Sequence, residues 1–81
     1  MNKVAKFLLK LSKKDRDHLR QVLFPKIRRL ALQELGAEKM SGFSYWKIRY
    51  RKIRIIFCEI DGKGFILSIG YRGDVYKNIP G

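Results

Sequence analysis

An α+β fold, two N-terminal helices packed on a twisted antiparallel sheet of about three strands, is predicted by three observations. Apolar residues recur at helical spacing up to Leu35, period-2 alternation takes over at Tyr45, and a glycine-bearing turn, Asp61-Gly-Lys-Gly64, divides the rest. Helical spacing marks one buried stripe, and strict alternation marks a strand with one wet face. The chain has 81 residues. That length supports one domain, residues 1–81, because a chain of this size encloses a single modest core.

The first helix is expected from Val4 to Leu11, where Val4, Phe7, Leu8 and Leu11 share a face. Ser12 ends it and opens the second: its hydroxyl can take an orphan N–H, and Asp15 three residues on sits at the positive end of the helix dipole. Leu19, Val22, Leu23, Ile27, Leu30 and Leu35 then form the second stripe, with Arg16, Arg20, Arg28 and Arg29 outside it as a solvated face. Pro25 cannot donate its backbone hydrogen bond, which predicts a kink or break near Phe24. Gly36 suits a C-cap, and Ala37 to Gly42 reads as a loop.

In the β half, Trp46, Ile48 and Tyr50 alternate with Lys47, Arg49 and Arg51. A tight turn at Arg51-Lys52 pairs Tyr50 with Ile53, Arg49 with Arg54, Ile48 with Ile55 and Trp46 with Phe57. That turn lacks the glycine or asparagine typical of a two-residue hairpin, so a shift by one residue stays open. A three-residue loop with Gly64 in the left-handed region pairs Asp61 with Phe65, Phe57 with Ile69 and Arg54 with Arg72. One face then carries Trp46, Ile48, Tyr50, Ile55, Phe57, Phe65, Leu67, Ile69 and Tyr71 to receive the helices. The other carries Lys47, Arg49, Arg54 and Arg72 beside the small residues Cys58, Ser68 and Gly70. A loop of two or four residues would mix Arg72 with Ile55 and Phe57, and segregation of apolar from charged residues therefore selects the register.

Nineteen Lys and Arg against seven Asp and Glu leave a formal charge of +12. Self-repulsion on that scale is relieved by a polyanion, and nucleic acid is the first candidate, ahead of an acidic protein or an anionic membrane surface. No apolar run approaches the roughly 20 residues of a spanning helix, and the lysines of Met1-Asn-Lys-Val-Ala-Lys interrupt any signal-peptide core. The single cysteine, Cys58, fits a reducing cytoplasm, and no Cys or His cluster points to a metal. Like charges placed across a sheet cost on the order of 0.2 to 1 kcal/mol per pair, so Lys47, Arg49, Arg54 and Arg72 on one face read as a phosphate-binding surface. Arg51, Lys52 and Lys77 extend it as RNA-binding residues.

The stretch from Lys39 through Met-Ser-Gly-Phe-Ser-Tyr-Trp-Lys-Ile-Arg-Tyr-Arg-Lys-Ile-Arg-Ile-Ile to Phe57, followed by Leu67-Ser-Ile-Gly-Tyr-Arg-Gly-Asp-Val-Tyr76, resembles the RelE branch of the RelE/ParE toxin superfamily. The likeness spans nearly the whole chain in the order helix, helix, three strands. It implies the toxin of a type II toxin-antitoxin system: an mRNA interferase that enters the ribosomal A site, against 16S rRNA, cleaves mRNA and is neutralised by a cognate antitoxin. By that resemblance Lys47 and Arg49 are the basic pair of the first catalytic strand, and Arg54 binds the scissile phosphate. Arg72 lies near the leaving group, and Tyr76 is the C-terminal tyrosine that serves as base. Two departures stand out. Tyr71 replaces a frequent histidine, and the strand that usually precedes the first helix is missing, which predicts an open sheet edge covered by an antitoxin segment or a second copy.

The chemistry needs no cofactor. Attack of a 2′-OH on the adjacent phosphate requires an oriented sugar, a proton acceptor and stabilisation of a dianionic phosphorane, and paired guanidiniums supply the last. Unperturbed tyrosine and lysine have pKa values of about 10 and 10.4, so the base must be activated by its neighbours. Tyr76 is assigned that role, with Lys47 as the competing candidate. His18, the single histidine, reads as a surface residue, and Asp74 as part of an ordinary turn. Alternatives from other classes are a ParE-like inhibitor of DNA gyrase and a non-catalytic RNA-binding module; Arg54, Arg72 and Tyr76 favour the nuclease.

Overall fold

The computed structural model describes residues 2–40, 44–71 and 75. Arg72, Asp74, Tyr76 and Lys77 therefore lie outside the described residues. The fold is α+β, with helices first and an antiparallel sheet after them.

Helix α1, Lys3–Leu9, is capped by the Asn2 side chain, which accepts from the backbone N–H of Ala5. Ser12 caps α2 as expected, accepting from the Asp15 N–H at 3.3 Å. Helix α2 covers residues 13–28 as an α segment, a π segment at Leu19–Leu23 and a second α segment, Phe24–Arg28. The kink or break expected near Phe24 takes the form of this π segment, and the helix continues through Pro25. Phe24 donates its N–H to Leu19 O, five residues back, and this wider turn lets the helix pass through a proline whose ring would otherwise crowd the preceding turn.

The interruption comes later, at Leu30, which takes a left-handed φ of 57°. A separate short helix, α3, follows at Leu32–Leu35. Gly36 caps it at φ 63°, in the left-handed region foreseen for a C-cap. Arg29, exposed as expected of the solvated face, bonds Glu34 across this corner at 3.0 and 3.2 Å.

The sheet has four strands in the order β1-β2-β3-β4: β1 Glu38–Lys39, β2 Tyr45–Tyr50, β3 Ile53–Ile60 and β4 Lys63–Tyr71. The added strand lies in the segment expected to be a loop, after the helices and not before them. It lies along the outer edge of β2, pairing Glu38 with Lys47 and Lys39 with Trp46, so that edge is not open at these residues.

The β2–β3 register is the expected one, from Tyr50 opposite Ile53 to Trp46 opposite Phe57. Arg51 supplies the conformation that glycine usually provides, at φ 54°. The β3–β4 register differs from expectation. Asp61 and Gly62, both at positive φ (53° and 77°), make a two-residue turn that pairs Ile60 with Lys63 and Phe57 with Ile66. A bulge between Ile56 and Phe57 then admits Leu67 as an extra residue, and pairing resumes as Ile56–Ser68, Ile55–Ile69 and Arg54–Gly70. Arg54 is thus opposite Gly70 and not Arg72.

The bulge reconciles the short turn with face segregation. Without it, Ile69 would rotate to the charged face; with it, Ile66 and Ile69 both join the core. Phe65, expected in the core, pairs with Cys58 on the other face and is 39% exposed.

The core joins Phe7, Leu8, Leu19 and Ile27 of the helices to Ile48, Ile53, Ile55 and Phe57 of the sheet. Trp46 stacks near Phe57 at 6.0 Å, with the Lys39 ammonium over its ring. At Gly64 the sheet comes against the backbone of α2. A Cβ there would overlap the carbonyl oxygen of Ile27, so this glycine serves packing and not a left-handed turn.

Candidate functional site

The site begins with alternation. Because α1 and α2 cover one face of the sheet, the odd members of β2, Tyr45, Lys47 and Arg49, face the other way with Arg54, Ile56 and Cys58 of β3. Arg49 and Arg54 are direct cross-strand partners, a placement that sets their Cβ atoms about 5 Å apart. Lys47, Arg49 and Arg54 line one cleft of about 270 Å³ together with Leu35, Gly36, Glu38 and Ile48. The three basic residues on which the catalytic strand reading rests are therefore brought together. Arg51 and Lys52 lie at the hairpin tip, outside this cleft.

Arg54 is partly tied down. Its Nη1 donates to the carbonyl oxygens of Arg51 at 3.2 Å and Ile53 at 3.4 Å. A guanidinium carries five N–H groups, so these bonds orient the side chain and leave donors for an anion. Arg51 is held in turn from α2: Asp15 Oδ1 lies 3.7 Å from its Nε and accepts from the Tyr50 hydroxyl at 3.1 Å. Loss of water contact, the Asp15 hydrogen bond and the Asp15 charge together raise the Tyr50 pKa above its usual value. His18 stacks on the Tyr50 ring at 4.6 Å, so the surface histidine of the sequence reading is a packing partner of this anchor.

The floor of the charged face contains a residue that period-2 reasoning passed over. Ile56 is fully buried there, as is Val75. Ser68, opposite Ile56, donates its hydroxyl to Val75 O at 2.6 Å. The small side chains of Ser68 and Gly70 leave space for this return of the chain, which pins Val75 against the same face as Arg54. Cys58 lies further along, its thiol pKa pushed up by burial, which keeps it protonated and a poor nucleophile.

Glu38 is the other residue that sequence reasoning missed. It faces Lys47 across the β1–β2 ladder and lines the cleft, without an ion pair among the described residues. A carboxylate there opposes phosphate binding by like-charge repulsion. Its only sequence signal was its place just beyond the Gly36 cap, in a segment too short to show alternation. Among the described residues there is no cluster of His, Cys, Asp and Glu fit to hold a metal.

Neither protein-family models, nor curated proteins, nor solved structures gave a match to this chain. No helix among the described residues is long and apolar enough to cross a membrane. The chemistry of the cleft therefore carries the functional reading: three basic side chains and one carboxylate around an opening of about 270 Å³.

Proposed function

We propose that this chain is a RelE-like toxin that cleaves mRNA on the ribosome. The observation that carries the reading is the convergence of Lys47, Arg49 and Arg54, from two adjacent strands, on one cleft. Like charges so placed destabilise a sheet and are retained where an anion is bound.

In this reading Arg54 and Arg49 hold the nonbridging oxygens of the scissile phosphate, and Lys47 adds charge as the phosphorane forms. The 2′-oxygen bonds to phosphorus, the bond to the 5′-oxygen breaks, and the products are a 2′,3′-cyclic phosphate and a 5′-hydroxyl. The 2′-OH proton goes to Tyr76 by the family resemblance, with Lys47 as the rival acceptor, and Arg72 stabilises the departing 5′-oxygen, which takes a proton from solvent water to become the hydroxyl. Oriented charge in a partly dry site lowers the barrier because the phosphorane carries more charge than the ground state. A cognate antitoxin would neutralise the same surface, and the cytoplasm is the compartment where such a target is met.

Cell-free translation with mapping of mRNA ends tests the proposal. Codon-linked cuts that disappear in Arg54→Ala and Arg72→Ala are expected. Intact message together with trapped gyrase–DNA complexes would replace it by the ParE-like alternative, and RNA binding without cleavage by the non-catalytic one.

A further inference from the structure

Arg54 borders two cavities. One is the cleft described above; the other, about 360 Å³, is lined by Arg51, Lys52, Arg54 and Tyr71 at the hairpin tip. No carboxylate lines the second cavity among the described residues, and Lys52 has no acidic partner among them. Tyr71, expected in the core, is 45% exposed. Its ring contacts Phe7 at 5.2 Å with a tilt of 42°, which fixes the ring while leaving much of it to solvent. Adjoining it, a further hollow of about 260 Å³ is lined by Leu11, Asp15, Arg51, Lys52, Ile53 and Tyr71. The tip thus offers cations next to a braced aromatic ring, with Asp15 in the adjoining hollow paired to Arg51.

We propose that the hairpin tip is a second nucleotide subsite for single-stranded RNA, with Arg51 and Lys52 holding a phosphate and Tyr71 stacking its base. The inference rests on the proposed RNA-cleaving function and names where the strand goes on leaving the cleft. Sharing Arg54 makes the two subsites neighbours, as consecutive phosphates along one strand require. The tip is preformed: Arg51 sits at a φ of 54°, is held by Asp15 and bonds Arg54 through its carbonyl oxygen, so little ordering remains when a strand binds. Stacking on a π face accepts any base, so this subsite adds affinity and register with little sequence preference.

The test measures binding of the full chain to fluorescently labelled 2′-O-methyl RNA of two and four nucleotides at low salt. The 2′-O-methyl groups block cleavage. Wild type is expected to gain about tenfold in affinity from the dinucleotide to the tetranucleotide. Tyr71→Ala should lose most of that gain and Tyr71→Phe should keep it, and an abasic flanking nucleotide should mimic Tyr71→Ala without adding to it. Because Tyr71 packs on Phe7, thermal melting checks that the variant is folded, and Lys52→Ala at an exposed turn gives an independent loss of the same gain. An undiminished gain in both Tyr71→Ala and Lys52→Ala overturns the subsite while leaving the cleft reading intact. Wild type that binds neither oligonucleotide, or Lys47→Ala and Arg49→Ala that bind the dinucleotide as wild type does, removes the parent reading as well.

Discussion

Arg54 is held by two backbone carbonyls of its own hairpin and faces Arg49 across the ladder. Replacing Arg49 by Ala should weaken RNA binding and lower the slope of log affinity against log salt by about 0.7, the share of one phosphate contact on a single strand. Arg54→Lys should not restore wild-type cleavage, because an ammonium cannot bridge two phosphate oxygens. Glu38→Gln is expected to tighten RNA binding by about twofold to fivefold, the scale of one partly screened like-charge contact, read by the same titration. Tyr50 sets an alkaline limit. Its raised pKa means that the neutral phenol is favoured in the folded chain, so its contribution is full below the ordinary tyrosine value of about 10 and is lost as pH rises through the folded value. The urea midpoint of wild type should therefore fall more steeply above about pH 10 than that of Tyr50→Phe. Of the site, Lys47, Arg49 and Arg54 were legible because alternation alone fixes their face. Glu38 was not, since two residues of strand give no period, and Ile56 was hidden because it lies on the face that alternation marks as charged.

At the level of elements, Gly64 carries the tightest constraint. Gly64→Ala should destabilise the fold by about 1–3 kcal/mol, measured by urea unfolding, because the added methyl meets backbone rather than a movable side chain. The helices were legible in stripe, start and final cap, and the β2–β3 pairs follow the tight turn at Arg51-Lys52, where the absence of glycine or asparagine had left a shift by one residue open. Two features escaped for the same reason. The π segment in α2 and the bulge in β4 each accommodate one residue that an ideal period cannot place, Pro25 in one case and Leu67 in the other. Periodicity arguments assume ideal elements, so the proline predicted a kink or break near Phe24 but not its π form, and the glycines predicted a three-residue turn at Gly64 in place of the bulge.

For the whole molecule, a charge of +12 on 81 residues makes stability depend on the surrounding anions. Short single-stranded RNA should raise the melting temperature well beyond what sodium chloride of equal ionic strength achieves, because bound phosphates act on the folded cleft as well as on the net repulsion. The bulge at Leu67 has its own consequence for how the length of this chain can vary. Every cross-strand pair around it survives if Leu67 is simply removed, since Phe57–Ile66 and Ile56–Ser68 then become consecutive steps of a regular ladder. Removal of Ile69 would instead put Gly70 opposite Ile55 and reverse the faces beyond it. A deletion scan along β4 should accordingly find a single tolerant position in mid-strand. The shortened ΔLeu67 protein should fold and, with Tyr71 still opposite Ile53, bind tetranucleotides about as well as wild type.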